Sequence, residues 1–261
     1  MRVALGVSYR GQGYTGWQSQ PHGRTVQDKL EAALSQFADT PIRTMCAGRT
    51  DTGVHGLNQV IHFDTEAVRE PFSWVRGVNR YLPPDIAIQW SVFPEDPQFH
   101  ARNSAQGRRY AYLVLESAVR PAIEAGAAGW VFRPLDGDAK REAAALLIGE
   151  HDFSSFRSAE CQAASPVKTL RGIEIHRRGA YWRFEFDASA FLHHMVRNIM
   201  GCLVAVGSGT KPPAWMAEVV AAKSRDAAAP TFMPDGLYFV GPYYDPRHGI
   251  PDRVAAMDWL P

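Results

Sequence analysis

The sequence predicts an α+β fold of two ferredoxin-like βαββαβ halves, their sheets joined side by side with a cleft between them. Three observations carry that expectation. Apolar residues alternate with period two in some segments and recur every three to four residues in others. The two kinds of segment run in the order βαββαβ twice over. Midway, the stretch PEDPQFHARNS (94–104), with Pro94 and Pro97, interrupts the pattern. It divides the chain into an N-terminal half over 1–103 and a C-terminal half over 104–261. The duplication rests on element order alone, because identity between the halves is not obvious.

In the first half, RVALGVSY places Val3, Leu5, Val7 and Tyr9 on one face, a strand pattern. A glycine-rich loop follows. Thr25 then caps a helix with Asp28 three residues on, and Val26, Leu30, Ala33, Leu34 and Phe37 form its apolar stripe. IRTMCAG (42–48) and NQVIHFD (58–64) read as strands. PFSWVRGVNRYL (71–82) reads as a helix with proline near its start, and DIAIQWSVF (85–93) as a strand.

In the second half, GRRYAYLVLE (107–116) is a strand, and DGDAKREAAALLIG (136–149) is a helix that Gly149 would close. VKTLRGIEIHRR (167–178) and AYWRFEFDA (180–188) form a hairpin across Gly179. AFLHHMVRNIMGCLVAVG, from 190, is a long helix, and GLYFVG (236–241) is a closing strand.

Composition narrows the function. The chain has 261 residues, 46% of them hydrophobic, enough for one large core or two modest ones. No apolar run approaches the roughly 20 residues that cross a bilayer. The start, MRVALGVSYR, lacks a signal-peptide pattern. The three cysteines, Cys46, Cys161 and Cys202, lie far apart with no CxxC, which fits a reducing cytoplasm and argues against disulfides or a zinc knuckle. Among nine histidines there is no HExxH, and the adjacent His193 and His194 would face two directions on a helix. No metal, no cofactor and no membrane association are therefore expected. A net charge of +1 says little for a polyanionic partner. Its distribution says more: residues 97–115 hold Arg102, Arg108 and Arg109 with no acid, and 167–178 hold Lys168, Arg171, Arg177 and Arg178 against one glutamate. Each run alone reads as a solvated face. Two of them with aromatics interleaved make a polyanion-binding groove a fair competitor.

Three segments carry chemistry. GRTDTGVHG (48–56) connects the middle strands of the first half, where a rigid scaffold usually presents a site. Its Asp51 is either a turn aspartate bonding its own backbone or a positioned carboxylate able to act as nucleophile, general base or metal ligand, with Arg49 beside it. No GK[ST] follows, so it is not a P-loop. The helix at 190–206 is apolar nearly all round, and Arg197 is its only formally charged residue. That guanidinium either snorkels to water or pairs with an anion, Glu185 and Asp187 being the local choices and Asp51 the functional one. Losing a buried partner would cost about 3–5 kcal/mol. Tyr110 is either a core tyrosine of its strand or an aromatic platform for a base.

Taken together these segments resemble the TruA family of tRNA pseudouridine synthases over nearly the whole chain. GRTDTGVHG is similar to the family's catalytic loop, with Asp51 in the place of the essential aspartate. FHAR (99–102) and RRYAY (108–112) match the segments that follow, with Tyr110 in the place of the active-site tyrosine. FLHHMVRNIMG (191–201) looks like the motif whose basic residue, here Arg197, pairs with the aspartate. GLYFVG sets Leu237 at the apolar active-site position. The sequence departs at YRG (9–11), where the family's acid is Arg10, and at Thr52, where alanine is usual.

The resemblance implies the pseudouridine synthase fold and an isomerase (EC 5.4.99.12) that converts uridines 38, 39 and 40 of the tRNA anticodon arm. The base would be flipped into the site. Asp51 would be the nucleophile at ribose C1′ or uracil C6, Tyr110 would stack on the uracil, and Arg197 and Arg49 would hold the carboxylate ionised. It implies a homodimer, with tRNA touching both subunits. Substrate binding is expected from Tyr110, Leu237 and His55, and from Arg102, Arg108, Arg109, Lys168 and Arg171 on the RNA backbone. Two other readings compete. An RRM-like RNA-binding protein shares the topology, but there is no RNP1-like segment. A hydrolase using Asp51 would need a second acid or base, for which only His55 is at hand.

Overall fold

The computed structural model describes residues 1–252. The chain forms two compact units: Met1–Gly107 with the described residues from Tyr238 on, and Arg108–Leu237. Residues 253–261, the end of the expected C-terminal half, lie outside the described residues.

The first unit follows the expected order: β1 (Arg2–Tyr9), α1 (Val26–Ala38), β2 (Met45–Cys46), β3 (His55–Asp64), α2 (Pro71–Asn79) and β4 (Ile86–Val92). β1 lies between β3 and β4, antiparallel to both, with Leu5 opposite Ile61 and Ser91. Both helices pack against the odd-numbered residues of β1, so Val3, Leu5 and Val7 share one core with Leu30, Leu34, Trp74 and Val78. A smaller cluster joins even-numbered residues of β1, β3 and β4 (Ala4, Val60 and Trp90) to Phe99 of the segment after β4. Thr25 and Asp28 form a full capping box at the start of α1. β2 is only two residues long because Thr44, just before it, gives its backbone N–H to the Glu31 carboxylate of α1 (2.8 Å) rather than to the sheet. α2 stops at Asn79, three residues early, because the Asn79 amide bonds both backbone groups of Ile88 (2.7 and 2.9 Å).

The second unit contains β5 (Ala105–Glu116) from Arg108 on, β6 (Gly129–Val131), α3 (Gly137–Ala145), β7 (Gly149–Asp152), β8 (Val167–Arg178), β9 (Tyr181–Ala188), α4 (Met195–Gly207) and α5 (Trp215–Ala222). β5 pairs with β9, β9 with β8 and β8 with β7, all antiparallel, while the short β6 adds to β5 in parallel. The β8–β9 hairpin turns at Gly179, whose φ of 61° suits glycine. A bulge between Leu170 and Gly172 sets Arg171 out of the ladder.

Four further differences separate the structure from the sequence expectation. Gly149 does not close α3; with φ 111° it opens β7, and the helix ends at Ala145. α4 begins at Met195, not 190, because His194 takes a left-handed conformation (φ 62°) that no helix propagates. His193 and His194 therefore precede the helix, ring centroids 4.1 Å apart. β6, β7 and α5 were not expected, being short segments without clear periodicity. Finally, the last strand, β10 (Leu237–Tyr244), does not belong to the second unit beyond its first residue: it runs parallel to β3, with Tyr238 opposite His55.

Among the described residues no helix is long and apolar enough to cross a membrane.

Candidate active site

The loop 48–54 of the first unit is pinned on both sides of Asp51. Upstream, Gln59, fully buried on β3, accepts from the Gly48 N–H (3.4 Å) and donates to its carbonyl (2.5 Å). Thr50 is buried; its hydroxyl bonds the Tyr9 phenol (2.8 Å) and its carbonyl accepts from the Trp17 N–H (3.0 Å). Downstream, the Val54 N–H closes a turn on the Asp51 carbonyl (3.1 Å) with Gly53 at φ 84°. Gly16 passes so close that a Cβ there would lie 2.8 Å from the Thr50 carbonyl. Asp51 itself is half-buried. A backbone held this firmly fixes where the carboxylate starts from, which is what orientation contributes to catalysis.

Arg49, next to Thr50, is exposed. Burial pushes the Cys46 thiol up to about 11, and the nearby positive charges of Arg49 and Arg102 partly oppose that, so both cations reach the neighbourhood of Cys46. His55 is 3% exposed: its Nδ1 accepts from the Gly11 N–H (3.2 Å) and its ring stacks on Tyr238 at 4.7 Å. Its role here is to tie the N-terminal loop to β3 and β10. Arg10 is exposed and donates to the Gln12 side chain (3.0 Å); Thr52 is exposed at the loop tip.

In the second unit Tyr110 is half-buried on β5, opposite Phe186 and edge-on to Phe191 (5.1 Å, 84°). Two residues on, Tyr112 is the core tyrosine, fully buried, its hydroxyl donating to the Met233 carbonyl. Arg197 is half-buried near the start of α4, and its Nε donates to the Phe232 carbonyl (3.0 Å). Leu237 is buried.

The cations behave individually. Arg109 (3.8 Å) and Arg171 (3.3 Å) converge on the Asp187 carboxylate from flanking strands, giving a local excess of one positive charge on the surface. Arg108 donates to the Ser189 carbonyl (3.2 Å). Lys168 donates to the carbonyls of Ser165 (2.6 Å) and Val167 (2.8 Å), and burial lowers its pKa. Arg102 is exposed.

Residues 6–102 and 143–245 match the family described as tRNA pseudouridine synthase. The chain belongs to that family. It is 74% identical over 261 residues to the tRNA pseudouridine synthase A of Methylibium petroleiphilum (strain ATCC BAA-1232 / LMG 22953 / PM1), covering all of both chains. Also over the full length of both, it is 68% identical to that of Polaromonas naphthalenivorans (strain CJ2) and 64% identical to that of Paracidovorax citrulli (strain AAC00-1). Among solved structures, a chain of a Cbf5-Nop10-Gar1 complex is similar at TM-score 0.36 and 13% identity, over 86% of this chain and 60% of that one, too distant to bear weight. Asp51, Arg49, His55, Arg102, Lys168, Arg171, Arg197 and Leu237 fall inside the family's matched segments; Arg108, Arg109 and Tyr110 fall between them.

The sequence reading missed Thr50, Gln59, Tyr9 and Trp17 as the loop's anchors. Only the glycines around Asp51 hinted at a constrained backbone; the anchors lie up to 41 residues away and carry no local pattern.

Proposed function

We propose that this member of the tRNA pseudouridine synthase family modifies uridines 38, 39 and 40 in the tRNA anticodon stem-loop with Asp51 as nucleophile. Family membership makes the protein an isomerase of EC 5.4.99.12 that converts uridine to pseudouridine in tRNA. The observation that supports Asp51 is the loop that bears it, anchored at Gly48, Thr50 and Val54 while the carboxylate-bearing residue stays half-buried. His55, by contrast, is buried and bonded to the backbone, which disfavours a hydrolase that would use it as the second base.

In the proposed reaction the target uridine leaves its stack and enters the site, unstacking costing about a few kcal/mol. Its uracil stacks on Tyr110, whose ring is held edge-on by Phe191. The Asp51 carboxylate adds at ribose C1′ or at uracil C6, the C1′–N1 bond breaks, and the uracil turns within the site. C5 then bonds to C1′ while the bond to Asp51 (at C1′ or C6) breaks and frees the carboxylate; the proton on C5 leaves through Tyr110 or water, and N1, released from C1′, takes up a proton. No electrons are exchanged with a carrier and no group is lost. Arg197 supplies the positive charge that keeps the Asp51 carboxylate ionised and oriented, assisted by Arg49. Leu237 contributes an apolar wall. Arg102, Arg108, Arg109, Lys168 and Arg171 hold the RNA backbone, and a homodimer in the cytoplasm pools these patches against a polyanion, which suits a subunit of net charge +1.

The test is carbodiimide–primer-extension mapping on tRNAs bearing a single uridine at position 38, 39 or 40. Stops at these positions with wild type, and none with Asp51→Asn at equal tRNA binding, are expected. Modification elsewhere, or undiminished stops with the variant, would overturn the reading.

A further inference from the structure

The guanidinium of Arg197 is aimed by a segment that is distant in sequence. Residues 229–233 form a strap laid along the first two turns of α4. The Phe232 N–H donates to the Arg197 carbonyl (3.1 Å), and the Arg197 Nε–H donates back to the Phe232 carbonyl (3.0 Å). An Nε bond to a fixed carbonyl selects one orientation of the guanidinium plane, and with it the direction of the terminal Nη donors. That works only if the carbonyl does not move. Four contacts hold it. The Thr231 hydroxyl donates to Asn198 Oδ1 (2.7 Å) and accepts from Arg225 Nη2 (3.1 Å). The other end of the Asn198 amide donates to the Phe156 carbonyl (2.8 Å), and at 1% exposure it has no water to turn to. The Ala229 N–H points at Cys202 Sγ (3.3 Å). The Tyr112 hydroxyl donates to the Met233 carbonyl. Gly201 permits the approach, since a Cβ there would lie 2.2 Å from the Pro230 carbonyl.

From this geometry we infer that Thr231 is a positioning residue for the isomerisation, acting through the Phe232 carbonyl to aim the Arg197 guanidinium. The inference rests on the reading that Arg197 serves the Asp51 carboxylate. Removing the hydroxyl orphans a buried amide oxygen and one arginine donor next to the carbonyl that fixes Nε. The strap then relaxes and the guanidinium loses its single orientation. Misplacement of a catalytic group by about 1 Å can cost on the order of a hundredfold in rate, so the effect belongs in turnover and not in tRNA affinity.

The experiment compares single-turnover pseudouridine formation at saturating tRNA, tRNA affinity and thermal midpoint for wild type, Thr231→Val and Thr231→Ser, each also in an Arg197→Lys background. Thr231→Val should lose about tenfold or more in rate with affinity within about threefold, and Thr231→Ser should restore it; in the Arg197→Lys background Thr231→Val should add nothing, the signature of action through one group. A folded Thr231→Val with wild-type rate, or the same loss in both backgrounds, overturns the inference. A second readout needs no turnover: the Arg197 Nε–H, assigned by its loss in Arg197→Lys, should be protected from exchange in wild type and Thr231→Ser and exposed in Thr231→Val. Equal protection in all three overturns the inference. Absence of pseudouridine from wild type itself would instead sink the proposed function, leaving the exchange measurement to judge the strap.

Discussion

Asp51 shows what a single residue can and cannot disclose. Its motif is local, three glycines around an arginine and an aspartate, so it is legible in the sequence; the means of holding it is not. Thr50 is one residue away, yet its partner Tyr9 comes from β1 and its other anchor, Trp17, from the N-terminal loop. Nothing in either stretch announces the pairing. Asp51→Asn should abolish turnover while leaving tRNA affinity within about 1.4 kcal/mol, a factor of ten; a folded variant that no longer binds tRNA would make the residue a binding group. Thr50→Val should lose about 1 kcal/mol of stability for the buried hydrogen bond and lower turnover more than affinity. Unchanged turnover in a destabilised Thr50→Val protein would mean that the loop does not need this anchor to present its aspartate. For Arg197 the sequence offered pairing or snorkelling; the side chain is half-buried and its Nε committed to a backbone carbonyl, a third partner that composition could not suggest.

At the scale of elements, the segments with strong periodicity or explicit caps were readable and the short ones were not. α1 has both the apolar stripe and the Thr25–Asp28 box, and β9 alternates cleanly and pairs with β8 across Gly179. Thr25→Ala should cost about 1 kcal/mol, seen as a lower urea midpoint with unchanged slope; no change in midpoint would mean that tertiary packing alone defines the start of α1. β6 and β7 have three and four residues, too few to show a period. The start of α4 was misread because apolar content continues through Phe191 and Leu192, whereas the boundary is set by the left-handed backbone of His194. β10 was read correctly as a strand and assigned to the wrong unit, because partner choice within a sheet leaves no mark in a single strand's pattern.

For the molecule as a whole, the second unit's core holds one group that ties stability to pH. Lys140 on α3 is 0% exposed, its Nζ sits 3.0 Å from the centroid of the Trp182 ring, and among the described residues it has no hydrogen-bond partner. Burial lowers its pKa to about 7, the Glu116 carboxylate opposing and Arg177 and Arg141 reinforcing that fall. The unfolded chain keeps this lysine protonated up to about 10.4, so between those values it binds more protons than the folded one and stability rises with pH. The penalty is present in full below about 7. Lys140→Met, close in volume, should raise the thermal midpoint at neutral pH by several degrees and flatten its rise between pH 7 and 10. A variant that melts lower at both ends would show that the contact with Trp182 outweighs the desolvation of the amine.

The claim on which everything else hangs is that this chain isomerises uridine with Asp51. It is tested most directly by tritium release from tRNA labelled at uridine C5, with wild type and Asp51→Ala side by side and no added metal or nucleotide. Release by wild type and none by the variant is the expected result. No release by wild type while tRNA is bound tightly, or equal release by both, would contradict it.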